Sequence, residues 1–253
     1  MTVINTNTAA TLTANALTKN ERAMSQAMER LSTGQRINSA SDDAAGLAIS
    51  SRMTSQVNGL NMAVRNANDA ISMVQTADGA MVEVTNMLQR MRELGVQAMT
   101  GTLTASDNDA LNVELTALKG GIQDIASDTQ WNGENLLDGS PATTVFQVGA
   151  NASQTISVTF ADLDTVNTNA TNGLFENLDT TTLGDDTEVT HSIAGLSFDD
   201  ATKSADAMIM IDEALTRVNA HRATLGATVN RLEYAADNLA NVSQNTSASR
   251  SRI

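Results

Sequence analysis

The chain has 253 residues, 41% hydrophobic but only 2% aromatic, with no cysteine and a formal net charge of −14. An apolar set drawn mostly from Ala, Leu, Val, Ile and Met suits helix–helix seams better than a thick globular core. The acidity and the lack of any basic cluster exclude a nucleic-acid face and disfavour anionic membranes, and the absence of cysteine removes disulfide scaffolds and thiolate metal sites.

The first residues, Met1-Thr2-Val3-Ile4-Asn5-Thr6-Asn7, lack the basic start and apolar core of a cleaved signal peptide, and no run has the length of a membrane span. Residues 8–33 read as a helix, with Ala10, Ala14, Leu17, Met24, Met28 and Leu31 on one stripe, broken at Glu21. That stripe is thin and needs a partner helix to be buried. Gly34 ends it, and Gln35 to Ala40 make a polar connection.

Next comes the longest helical candidate, from Asp42 to about Met99. Ser39-Ala40-Ser41-Asp42-Asp43 places hydroxyls and carboxylates where a helix start leaves N–H groups unpaired, and Thr100-Gly101 is a natural stop. Val57, Leu60, Val64, Ala67, Ile71 and Val74 alternate steps of four and three, a heptad seam. It continues as Ala77, Met81, Val84, Leu88 and Met91 after two successive steps of three at Ile71–Val74–Ala77, a skip expected to overwind a coiled coil. Such a helix would be roughly 85 Å long, against about 45–50 Å for a compact chain of this size. A rod is therefore expected for part of the molecule.

A third helix is expected from Ser106-Asp107, carrying Leu111, Leu115, Leu118, Ile122 and Ile125. After Trp131-Asn132-Gly133 the pattern changes, and Thr143–Val148 with Thr155–Phe160 predict a β-hairpin. Residues 161–202 hold nine acids and no Lys or Arg, and predict an exposed, mobile loop. A last helix, from about Ala205, keeps the heptad at Met208, Ile211, Leu215, Val218, Leu225, Val229, Leu232, Ala236 and Leu239, with Arg222 breaking it. It is the expected packing partner of the longest helix.

The stretch Leu31-Ser32-Thr33-Gly34-Gln35-Arg36-Ile37-Asn38-Ser39-Ala40-Ser41-Asp42-Asp43-Ala44-Ala45-Gly46-Leu47-Ala48-Ile49-Ser50 closely resembles the N-terminal signature of bacterial flagellins. So do Arg65-Asn66-Ala67-Asn68-Asp69, Leu88-Gln89-Arg90-Met91-Arg92-Glu93-Leu94 and Val229-Asn230-Arg231-Leu232-Glu233. The resemblance covers roughly residues 1–160 and 205–253. It implies a mainly α fold, an elongated antiparallel coiled-coil-like helical bundle with a small β-hairpin region. The implied divisions are 1–40, an inner-tube helix and connector; 41–160, a helical rod plus hairpin; 161–202, a short variable acidic region; and 203–253, a C-terminal rod helix.

The resemblance further implies a self-assembling subunit of the flagellar filament, with other flagellin subunits as partners. The filament cap, hook-associated proteins and an export chaperone are implied as well, with export through the flagellar type III apparatus. Similar flagellins continue past Ser251-Arg252-Ile253 with a further amphipathic helix, so a truncated chain is expected, its 8–33 stripe left without an intramolecular mate. Arg90, Leu94 and Glu114 match positions through which similar flagellins engage the animal Toll-like receptor that senses flagellin, with Gln89, Glu93 and Gln97 beside them. Helical spacing expects Arg90, Glu93, Leu94 and Gln97 on one face, an exposed Arg beside an apolar Leu. Gly95 is expected to weaken that turn slightly.

An enzyme is not expected. Only His191 and His221 are available for acid–base work, and no H-E-x-x-H motif or phosphate-cradling loop occurs. His221 is expected on a helix surface and His191 in a solvated loop. Asp185-Asp186 and Asp199-Asp200 lack the alternating ligands of a calcium loop, so no metal or cofactor is expected. Two other readings stand beside the filament subunit: a secreted coiled-coil interaction protein such as an adhesin, and a hook–filament junction protein.

Overall fold

The structure, a computed structural model, describes residues 7–140, 143–164, 173–175 and 192–253. Four helices dominate it: α1 (Thr8–Thr33), α2 (Ala44–Ala98), α3 (Ala105–Asp128) and α4 (Ala201–Arg252). Between α3 and α4 lie two antiparallel ribbons, β1 (Gln130–Trp131) with β2 (Glu134–Asn135), and β3 (Thr143–Gln147) with β4 (Thr155–Thr159). The chain divides into two units, one of residues 1–61 and 240–253, the other of residues 62–239.

Local chemistry sets the helix ends. The Asp43 carboxylate accepts the Gly46 N–H at 2.9 Å, which makes Asp43 the cap of α2. Thr104 and Asp107 form a reciprocal capping box on α3. α1 ends at Gly34, whose left-handed backbone (φ 68°) lets its N–H reach the Arg30 carbonyl.

In the unit of residues 62–239, α2 and α4 run antiparallel, tied by Arg92 to Asp212 and by Asp78 to Arg222. The buried stripe of α2 is Ala63, Ala67, Ala70, Val74, Ala77, Met81, Val84, Leu88 and Met91. Its steps alternate between four and three throughout, so the skip expected at Ile71–Val74–Ala77 is absent. Val64 and Ile71, expected in the seam, are only half-buried and flank it, while Ala63 and Ala70 occupy the floor. Alanine permits close helix approach, and the larger branched side chains cover the sides. On α4 the deep stripe is Ser204, Ala207, Ile211, Ala214, Val218, Leu225, Thr228 and Leu232, with Met208, Leu215, Val229 and Leu239 half-buried beside it.

α3 contributes Leu111, Leu115, Ile122 and Ala126 to the same core. The β3–β4 hairpin pairs Thr143 with Thr159 and Gln147 with Thr155. Alternate residues Ile156 and Val158 turn inward, and Ile156 packs with Ala70 and Leu232. The β1–β2 ribbon, absent from the sequence reading, turns on Asn132 and Gly133, both at positive φ.

The expectation of an exposed loop over 161–202 holds at Ala194, Gly195, Asp199 and Asp200 but fails at six apolar positions. Ala161, Leu163, Phe175, Ile193, Leu196 and Phe198 are all buried. Their backbone is tied down too: Leu163 N–H donates to the Leu137 carbonyl, Leu174 N–H to Asp162 and Ile193 N–H to Phe175. Sparse, irregularly spaced apolar residues carry no period, yet each fills the core. Asp179, Asp185, Asp186, Glu188 and His191 lie outside the described residues.

In the unit of residues 1–61 and 240–253, α1 buries none of its residues, and Leu12, Leu17, Met24, Met28 and Leu31 are exposed. The connector is held by Asp42, which accepts from Gln26 Nε2 at 2.6 Å, from Asn38 and Ser39 N–H, and from the Ser39 hydroxyl. Those donors hold its carboxyl below the usual range, the Gln26 side chain foremost. Val57 and Leu60 are buried on α2. Ser243 donates to Asn61 and Arg250 to Thr54, an antiparallel pairing repeated after one heptad.

Candidate functional site

The residues expected to meet a receptor lie on the last turns of α2 and the middle of α3. Arg90 is the centre of the group. Its Nε donates to Glu114 of α3 at 2.8 Å and its Nη1 to Glu93, one turn along α2, at 2.9 Å. The two carboxylates raise the guanidinium above its usual range, Glu114 more than Glu93. All three side chains remain substantially exposed, so the group is a presented, preordered charge cluster rather than a buried clamp. Gln89 and Gln97 are exposed beside it.

Leu94 does not join this face. It is 1% exposed and belongs to the core. Helical geometry explains the error: Leu94 lies roughly 40° round α2 from Arg90, on the side of the buried stripe. The exposed apolar groups here are instead Val113, next to Glu114, and Val96, next to Gln97. Both sit out of phase with the heptad, which is the signal that could have marked them. Gly95 also has a packing reason rather than a weakening one. A Cβ there would stand 2.9 Å from Met208 Cγ and 3.5 Å from Phe198 Cε1.

A second constellation on α3 was not anticipated. Lys119 Nζ donates to the Ala194 and Leu196 carbonyls at 3.1 and 3.0 Å. Asn112 accepts the Phe198 N–H at 2.7 Å and donates to the Asp199 carboxylate. Burial lowers the Lys119 ammonium from its usual range. These polar groups, spaced along one helix, fasten the backbone that leads into α4 with Phe198 seated in the core. Sequence patterning misses them because they bind main chain, which has no sequence signature. Nothing in this arrangement brings a nucleophile and a base together; it presents surfaces and holds helices in register.

His221, expected on the surface, stands in the seam of α4 at a heptad step between Val218 and Leu225 and is half-buried. Arg222, read as the break in the pattern, points beside the seam to Asp78.

Residues 4–142 match the family described as the bacterial flagellin N-terminal helical region, and residues 208–253 match the bacterial flagellin C-terminal helical region. The chain belongs to the bacterial flagellin family. Among curated relatives, the flagellin of Bacillus subtilis strain 168 is 43% identical over 265 residues, covering 99% of this chain and 86% of that protein. The crystal structure of Bacillus cereus flagellin aligns at a TM-score of 0.52 with 29% identity, over 69% of this chain and 88% of that one. The flagellar hook-associated protein-3 of Legionella pneumophila aligns at 0.58 over 79% of this chain and 97% of that one. At 16% identity that likeness is one of fold alone. The flagellin matches at both ends therefore favour a filament subunit over a junction protein or an adhesin. This flagellin is a structural subunit of the bacterial flagellar filament. No helix among the described residues is long and apolar enough to cross a membrane.

Proposed function

We propose that this flagellin acts in two states, as a polymerised subunit and as a released monomer recognised by the flagellin-sensing Toll-like receptor. In the first, helix sides left uncovered by the α2–α4 seam pack against neighbouring copies, with the cap, hook-associated proteins and export chaperone as further partners. Export proceeds through the flagellar apparatus without a cleaved signal peptide. In the second, Gln89, Arg90, Glu93, Gln97 and Glu114 form the receptor face.

The observation that supports this reading is the pairing of Arg90 with Glu114 across two helices while both stay accessible. A long cation fixed by carboxylates on either side loses little further rotamer freedom on binding, which favours it as an anchor. Leu94 is withdrawn as a contact in this conformation, and Val113 supplies apolar surface in its place. Reporter cells bearing the receptor, treated with purified monomer, test the proposal. Arg90→Ala and Glu114→Ala should each lower potency, whereas Leu94→Ala should lower thermal stability first. Potency unchanged by both surface substitutions would remove this face from the proposal.

A further inference from the structure

Along α1 the apolar side chains Leu17, Met24, Met28 and Leu31 follow one another at steps of seven, four and three, the spacing of a single helix face. None of them is buried. Met24 is 62% and Met28 66% exposed, and Leu17 and Leu31 are more open still. Two thioethers one turn apart therefore occupy the middle of a stripe whose ends are leucine. Leucine would serve there equally well for packing alone; methionine adds a polarisable, oxidisable sulfur.

The other described methionines are less accessible. Met73, Met81, Met91 and Met210 are buried in the core of the unit of residues 62–239, and Met53, Met87 and Met208 are half-buried. Met62 and Met99 are more open, at 47% and 44%. Even so, the Met62 sulfur accepts a hydrogen bond from the Arg65 guanidinium. A small oxidant arriving from water thus meets Met24 and Met28 ahead of every other described methionine.

We propose that Met24 and Met28 form an oxidation site through which peroxide switches α1 off as an assembly surface. The step is a two-electron oxygen transfer. A sulfur lone pair attacks one peroxide oxygen, and the O–O bond breaks as the S–O bond forms. The released hydroxide collects the proton of the transferred oxygen and leaves as water. Each methionine becomes a sulfoxide, and each peroxide is reduced to water. Two sulfoxides one turn apart interrupt the apolar stripe at its centre. Buried against the apolar side of a second copy, each would lack the hydrogen-bond donor it needs. The effect on assembly rests on the filament reading above, whereas the order of oxidation rests on exposure alone.

The test treats the full chain with hydrogen peroxide at neutral pH and locates sulfoxides over time by peptide mass mapping. Met24 and Met28 should oxidise several-fold faster than Met62 and Met99, while Met73, Met81, Met91 and Met210 stay intact. The oxidised chain should elongate flagellar seeds several-fold more slowly than untreated chain, and methionine sulfoxide reductase should restore the rate. The double variant Met24→Leu with Met28→Leu keeps the stripe but cannot take up oxygen, and should elongate seeds equally before and after peroxide. Uniform oxidation of all methionines, or elongation unaffected by sulfoxides at Met24 and Met28, would overturn the switch. So would a double variant that loses elongation to peroxide as wild type does. Failure of both untreated chains to elongate seeds would overturn the filament reading and the switch together; loss of the peroxide effect alone leaves the filament reading standing.

Discussion

Arg222 of α4 and Asp78 of α2 meet at 2.8 Å across the flank of the seam in the unit of residues 62–239. The contact fixes the antiparallel register locally, because a shift of α4 by one turn would carry the guanidinium about 5.4 Å away. Both side chains are partly exposed, 30% and 42%, so the pair is expected to contribute modestly. A double-mutant cycle of Asp78→Asn and Arg222→Gln should give a coupling of about 0.5–1 kcal/mol, reduced by salt. Zero coupling at low ionic strength would remove the pair from the forces that align the helices.

The depth of Ala70 makes a sharper prediction. Ala70 is fully buried against Ile156 and Leu232, whereas Ile71 is half-buried. Ala70→Leu should therefore force the hairpin and α4 apart and cost about 1–3 kcal/mol. Denaturant melts of the variant read this directly. A neutral result would mean that Ile71 carries the seam and Ala70 faces outward.

Ala63 and Ala70 also explain how far the sequence could be read. The helices were legible because they are long, uninterrupted by proline and regularly striped. The hairpin was legible because β-branched and aromatic residues cluster in it. The seam's phase was misread between Leu60 and Ala77 because hydrophobic size was taken as a guide to depth, and close-packed helices reverse that order. Val64 and Ile71 are larger than Ala63 and Ala70, yet they stand further out.

The same reasoning covers the other departures. Leu94 belongs to the core because a helix stripe is wide enough to take a residue that also neighbours Arg90 on a helical wheel. Phe175, Ile193 and Phe198 were missed because isolated apolar residues among Thr, Asn and Asp have no period. Lys119 and Asn112 fasten the backbone around Ile193 and Phe198, and the Ile193 N–H ties in Phe175, none of which a local pattern signals. His221 was placed on the surface because a histidine in a helix usually is exposed. Its place at a heptad step between Val218 and Leu225 is visible in the sequence.

Asp42 predicts how the connector in the unit of residues 1–61 and 240–253 responds to acid. Its carboxyl is lowered from the ordinary value of 3.8, chiefly by Gln26 and then by the Asn38 and Ser39 N–H groups. A lowered carboxylate adds stability that is present above the ordinary value and is lost as pH falls through the folded one. Exchange protection of the Asn38 and Ser39 amides should therefore persist at neutral and mildly acidic pH and disappear in stronger acid. Asp42→Asn should remove most of it at neutral pH, as read by NMR. Protection unaffected by both acid and substitution would mean that the connector is held by something other than Asp42.

The helices at the two ends of this flagellin build a subunit whose sides add to a filament. The most direct measurement is seeded polymerisation, with short fragments of native flagella from the source organism as seeds, followed by electron microscopy and sedimentation. The seeds should lengthen, and this chain should move from supernatant to pellet. Seeds of unchanged length, with the folded chain remaining in the supernatant, would contradict it.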